Sequence, residues 1–213
     1  DTGKVVFGRR RVRRSFAGQL AHIQAATERA MGGIPTLLGE FGIPFDLNGG
    51  RAYRTGDFSD QVQALDDTFQ ALEAHLLSGT LWNYTADNDN TRGDQWNGED
   101  LSIFSRDQQA DPGDLNSGGR ALEAAVRPYA ARTAGEPLAM SYDPRRRTFT
   151  FSFRHDPDVS APTEIYLPTL HYPRGCAVEV SDGEFEIDAE AQVLRYTHSR
   201  AQSLHHLTIR PAS

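Results

Sequence analysis

Apolar residues follow one period in the first half of this chain and another in the second. Leu20, Ile23, Thr27 and Met31 fall on one face of a helix that Ser15 can cap and Gly32 can stop. The run 34–38 is β-branched and aliphatic and too short for a helix, so it reads as a buried strand of a parallel sheet. A loop rich in Gly, Pro, Asn and Asp covers 44–58. Ser59 then caps a second helix, with Asp60 where a negative charge suits the helix dipole. Val62, Leu65, Phe69, Leu72 and Leu76 form its stripe, Gly79 ends it, and 80–85 is a second strand. Helix, strand, helix, strand with short joins is the α/β repeat, which makes the two strands parallel neighbours.

The segment 86–116 has no apolar period, although Trp96 and the apolar residues of 101–104 give it surface to bury. Ser117 and Gly118 open a third helix carrying Leu122, Ala125, Val126, Tyr129 and Ala130, with Pro128 bending it or lying near its end. From Pro137 the period changes to two. Phe149, Phe151 and Phe153 alternate with polar residues and share one face, the pattern of a half-buried antiparallel strand. Further strands are expected at 163–167, 176–180, 184–187, 192–197 and 204–210, with Asp182-Gly183 as a hairpin turn. Short strands at this spacing make a β-sandwich. The expected fold class is α/β plus all-β, divided near Gly135: residues 1–135 hold two βα units and part of a third, and residues 136–213 the sandwich.

Composition narrows the function classes. With 213 residues, 38% hydrophobic and 24% charged, the chain is globular rather than disordered. A net charge of −7 argues against nucleic acid as a partner. The run Arg9-Arg10-Arg11-Val12-Arg13-Arg14 could be a nucleic-acid or localisation patch, but in an acidic chain it reads as a solvated, protease-sensitive loop. No apolar run is long enough to span a bilayer. The single cysteine, Cys176, permits no disulfide within the chain and reads as a small core residue. Asp1-Thr2-Gly3-Lys4 shows neither an initiator methionine nor a signal-peptide pattern. The expectation is a piece of something longer, a processed product or one half of a nicked protein, and localisation stays open.

The candidate chemistry centres on Glu40, between Gly39 and Gly42 at the end of the first strand. It is either a solvated loop residue or a group at a C-terminal strand end, the place where parallel barrels carry their chemistry. If the two strands are adjacent, Glu40, Trp82, Asn83, Tyr84 and the polar loop share one rim. Aromatic faces, amides and carboxylates suit a sugar. Hydrolysing a glycoside takes two carboxylates. Glu40 is the nucleophile candidate, whereas Asp46, Asp87 and Glu99 are poorly placed as its partner. Asp87-x-Asp89-x-Thr91 lacks the closing glutamate of a calcium loop. Asn83-Tyr84-Thr85 is a poor glycosylation acceptor at a strand end. His205 and His206 point to opposite faces of a strand, and His155, His171 and His198 show no ligand spacing, so neither a metal nor another cofactor is expected.

Leu38-Gly39-Glu40-Phe41-Gly42, followed about 40 residues later by Trp82-Asn83-Tyr84 and Asp87-Asn88, resembles the C-terminal half of family 5 glycoside hydrolases. The stretches 81–90 and 93–102 are the specific part, and they place the chain nearest the endoglycoceramidase and glucosylceramidase-like branch. The resemblance runs from about residue 15 to the end. It implies the C-terminal portion of a TIM (β/α)8 barrel followed by an antiparallel β-sandwich. It further implies Glu40 as nucleophile at the end of barrel strand seven, Trp82 as a wall of the sugar subsite at the end of strand eight, and a rim built from 86–104. Asn83, Tyr84, Asp87, Asn88 and Trp96 are the accompanying substrate-binding candidates. The family's acid/base is a glutamate following an asparagine, and this chain contains no Asn-Glu pair. The implied partners are therefore a glycoside or glycolipid substrate and the preceding barrel portion, on a separate or missing chain. Contact with a membrane surface stays open. The rival reading is a non-catalytic carbohydrate-binding or interaction module.

Overall fold

A computed structural model describes residues 5–212, and its chain divides into two units between Ala125 and Val126. The Asp1-Thr2-Gly3-Lys4 start lies outside the described residues. In the first unit, β1 (Leu37–Phe41) pairs in parallel with β2 (Ser78–Leu81), as the α/β repeat requires. Between them in sequence come α2 (Leu47–Thr55) and α3 (Ser59–Ala74), and α1 (Arg9–Met31) precedes them. Leu20 of α1 and Ala71 and Leu72 of α3 are buried together with Leu77, and Leu38 and Phe41 pack against them. A second cluster joins Ile43, Phe45 and Leu65 to Ala121 and to Ala124, the latter in the short α4 (Leu122–Ala125).

The structure departs from the pattern in this unit for identifiable reasons. The 34–38 run is not a buried strand: Ile34 is 48% and Leu37 60% exposed, because β1 has a hydrogen-bonded neighbour on one side only among the described residues. The arginine run is not a loop but the first turns of α1. Arg9 donates to the buried Asp67 at 3.1 Å, and Arg13 lies 3.5 Å from the same carboxylate. Asp57, not Ser59, supplies the oxygen at the start of α3 by accepting the Ser59 N–H at 3.0 Å. The 44–58 loop contains α2, entered through Asn48, Gly49 and Gly50, all with left-handed backbone (φ 58, 64 and 66). Gly79 does not stop a helix. It lies in β2, where a Cβ would come within 2.8 Å of the Phe41 ring and 3.1 Å of Leu72.

The second unit consists of β3 (Tyr129–Arg132), β4 (Gly135–Asp143), β5 (Thr148–His155), β6 (Thr163–Tyr166), β7 (Cys176–Val180), β8 (Glu184–Asp188), β9 (Val193–Thr197) and β10 (Leu204–Pro211). They form two four-stranded antiparallel sheets, ordered β4-β5-β10-β7 and β3-β6-β9-β8. Phe149, Phe151, Phe153, Leu207 and Ile209 of the first sheet are buried with Ile165, Leu194 and Tyr196 of the second, which makes the expected sandwich core. The third helix is much shorter than its stripe suggested, because Tyr129 and Ala130 belong to β3, beyond Pro128. Asp182-Gly183 is not a hairpin turn. It carries the chain from β7 in one sheet to β8 in the other, and the Asp182 carboxylate accepts from Ser199 N and Tyr196 Oη instead of closing a local turn.

Candidate active site

Leu38 and Phe41 pack on the same helices although an odd spacing separates them. The register of the β1–β2 pair is irregular between these two residues, so the strand gains an extra residue there. Phe41 faces the helices, its ring edge-on to Phe69 at 5.2 Å. Glu40, its chain neighbour, is therefore turned to the opposite face of the sheet, and it is exposed. Thr80 Oγ1 donates to the Gly39 carbonyl, tying the bulge to β2.

Trp82 follows β2 directly and donates its N–H to the Phe41 carbonyl at 2.7 Å, which seats it next to the Glu40 end of β1. Gly42 is what permits this approach, since a Cβ there would lie 2.1 Å from the Trp82 carbonyl oxygen. The Trp82–Asn83 peptide bond is cis. Gly42→Ala must push the two strand ends apart. Forcing extra atoms into a close-packed spot typically costs about 1–3 kcal/mol, so Gly42→Ala is expected to lower stability by about that amount in denaturant unfolding.

The polar loop that follows is ordered around two buried carboxylates. Asp94 accepts from the Asn83 side-chain amide at 2.9 Å, from Leu101 N at 3.1 Å and from Trp96 N at 2.9 Å. Asp100 receives Arg120 as a two-pronged ion pair at 2.6 and 2.8 Å, accepts from Asn88 Nδ2 at 2.8 Å and accepts the Tyr53 hydroxyl. The Arg120 guanidinium lies 4.1 Å over the Phe45 ring and has no side-chain exposure. Asn83 and Asn88 thus have internal partners and hold the loop in shape. Trp96 and Tyr84 are exposed, with the Tyr84 ring 5.7 Å from Phe104. Gln95 donates to Asp87 at 3.0 Å, which holds that carboxyl below its ordinary value.

Burial pushes Asp100 up, but the bonds from Arg120, Tyr53 and Asn88 outweigh it, and its carboxyl lies below the ordinary value. A depressed folded pKa contributes stability that is complete above the unfolded value of about 3.9 and is lost as pH falls through the folded value. Hydrogen-exchange protection factors of 83–105 are therefore expected to hold down to about pH 4 and to fall below it. Protection that is first lost well above pH 4 would point to another group.

Asp94, Asp100 and Arg120 were unmarked in the sequence as site-forming residues, because acids in an acid-rich loop look solvated. One further gathering was also invisible there: His155, His198 and His205 of the second unit come together, each from a different stretch of chain. Among the described residues, no helix is long and apolar enough to cross a membrane.

Residues 127–210 match the glycoside hydrolase family 5 C-terminal domain. A glucosylceramidase of Rhizopus delemar is 37% identical over 206 residues, covering 90% of this chain and 30% of the relative. An endoglycoceramidase I of Rhodococcus hoagii is 30% identical over 164 residues, covering 77% of this chain and 25% of the relative. Sterylglucosidase 1 of Cryptococcus neoformans superposes with a TM-score of 0.89 at 30% identity, over 98% of this chain and 33% of that structure. The chain spans about a third or less of the length of these relatives.

Proposed function

We infer that this chain, which carries the C-terminal domain of the family 5 glycoside hydrolases, supplies the nucleophile half of a retaining β-glycosidase that acts on the glucoside of a lipid. The observation that carries this reading is the exposed Glu40 at the end of β1, turned away from the helix-packed Phe41 and seated beside Trp82. Glu40 attacks the anomeric carbon while an acid from the preceding polypeptide protonates the departing oxygen. The aglycone leaves as an alcohol and the sugar stays as an ester on Glu40. Water, deprotonated by the same acid/base residue, then cleaves the ester and regenerates the carboxylate. The two carboxyl groups of a retaining site stand about 5–5.5 Å apart, so the partner must reach the face on which Glu40 lies. Trp82 offers an aromatic wall for the apolar side of the sugar, and Trp96 and Tyr84 offer exposed rings at the rim.

Incomplete β1 pairing supports the second half of the inference. Leu37 and Ile34 are apolar and largely exposed, as expected of a strand whose next neighbour comes from the preceding barrel portion. The names of the relatives point to glucosylated ceramide and sterol as substrates. The test compares the full-length protein with this chain alone on glucosylceramide, a steryl glucoside and an aryl β-glucoside. Turnover by the full-length protein and none by the chain alone is the expected result. Clear turnover by the chain alone would defeat the half-site, and saccharide binding without turnover by the full-length protein would favour a binding module.

A further inference from the structure

The sandwich contains a cluster with no part in glycoside chemistry. β5 and β10 are antiparallel neighbours, with His205 opposite Phe153, so the end of β5 brings His155 beside His205. His198 arrives from the turn after β9, in the other sheet. The three rings gather with centroids 4.6, 4.7 and 5.2 Å apart, and the Phe153 ring lies 5.0 Å from His205 and 5.7 Å from His198. One nitrogen from each of the three lies within 4.8 Å of the others. We propose that His155, His198 and His205 form a three-histidine site for a divalent first-row transition metal, with zinc as its best fit.

Four observations converge on a ligand here. His205 is buried, and its Nδ1 donates to Asp182 at 2.8 Å. A carboxylate bonded to one ring nitrogen in this way orients and strengthens a metal-ligating histidine, and leaves Nε2 as the nitrogen to present to an ion. His205 Nε2 faces His155 Nδ1 at 2.9 Å. Two nitrogens each 2.0–2.1 Å from a tetrahedral zinc would be separated by about 3.3 Å, so a small parting of this pair admits an ion. His198 Nδ1 is buried and has no hydrogen-bond partner, a cost that coordination would remove. Asp182 is itself held firmly: it accepts from Ser199 N at 2.7 Å, from Tyr196 Oη at 3.0 Å and from Gln202.

Gly183 makes the gathering sterically feasible. A Cβ there would lie 2.2 Å from the Thr197 carbonyl oxygen and 3.0 Å from the His198 Cα. The close approach of 182–183 to 197–198 is therefore built into the crossing between sheets, and it brings the Asp182 and His198 stretches together. His155 also lines a surface concavity of about 510 Å³ with Thr133, Glu136, Asp156 and Val159, which gives an ion a route from solvent. Before binding, a proton sits between His155 Nδ1 and His205 Nε2. A proton on either nitrogen of that 2.9 Å contact has to leave it when the metal binds. Imidazole donors suit zinc, copper, nickel and iron rather than magnesium or calcium.

The experiment strips the full-length protein with a chelator and titrates Zn²⁺ by calorimetry, with Mg²⁺ as control. It then replaces Zn²⁺ by Co²⁺ and records the visible spectrum. Expected are saturable binding at micromolar Zn²⁺ or tighter, none of Mg²⁺, a Tm that rises with Zn²⁺, and the intense d–d bands of a low-symmetry Co²⁺ site. His198→Gln and Asp182→Asn should each weaken Zn²⁺ binding by about 10–100-fold or more. Absence of saturable Zn²⁺ binding to the unaltered protein overturns the proposal, a result that needs no variant to fold. Binding undiminished in a folded His198→Gln protein overturns it as well.

Discussion

Glu40→Gln in the full-length protein is expected to lower kcat on the order of 10⁴-fold or more while leaving affinity for the glucoside within a few-fold. The amide keeps the shape of the side chain but removes the negative charge that stabilises an oxocarbenium-like transition state and leaves only a weakly nucleophilic carbonyl oxygen to form the ester. The exposed position of Glu40 at the end of β1 means that the change disturbs little packing. The loss should therefore appear in kcat rather than in stability, and steady-state kinetics beside thermal unfolding separates the two. A retained kcat would remove Glu40 from the mechanism. A loss of kcat accompanied by a comparable fall in Tm would make it a folding residue.

The largest stability effect is expected at Asp100. Its replacement by alanine leaves the Arg120 guanidinium, which has no side-chain exposure, without a counter-charge, and deprives Asn88 and Tyr53 of their acceptor. Breaking one side of a buried ion pair typically costs about 3–5 kcal/mol. Asp100→Ala should therefore destabilise the first unit by about that amount in denaturant unfolding, whereas Asp87→Ala on the same loop should change stability little. Joint replacement of Asp100 and Arg120 by apolar residues should be milder than Asp100→Ala alone, because no charge is then left buried. Equal losses from Asp87→Ala and Asp100→Ala would show that the pair is not what holds the loop.

The contrast between the two units explains what could be read from the amino acids. In the sandwich the inner faces of the two sheets cover each other, so Phe149, Phe151 and Phe153 announce both the strand and the core. His205 and His206 likewise alternate, one buried and one exposed. β1 breaks that logic, because Ile34 and Leu37 are apolar yet exposed among the described residues. The face Glu40 takes depends on the bulge between Leu38 and Phe41, which no period of two or 3.6 encodes. Gly42 permits a close approach that no sequence period marks, and the group that approaches is the Trp82 backbone. The family resemblance carried Glu40 and Trp82 as a pair. It could not show that Asn83 and Asn88 have partners inside the loop, since an amide bonded to Asp94 or Asp100 reads in sequence like one that faces a sugar. The histidine cluster escaped for a related reason: ligand spacing is a local signal, and these rings meet only through pairing across two sheets.

The most direct test of the half-site is to trap its ester. The full-length protein is incubated with an activated 2-deoxy-2-fluoro β-glucoside, which forms the glycosyl-enzyme readily and releases it slowly, and its intact mass is followed by peptide mapping. One added sugar, located on the peptide that carries Glu40, is the predicted result. A label on any other carboxylate, or full turnover with inverted configuration and no trapped ester, would contradict it.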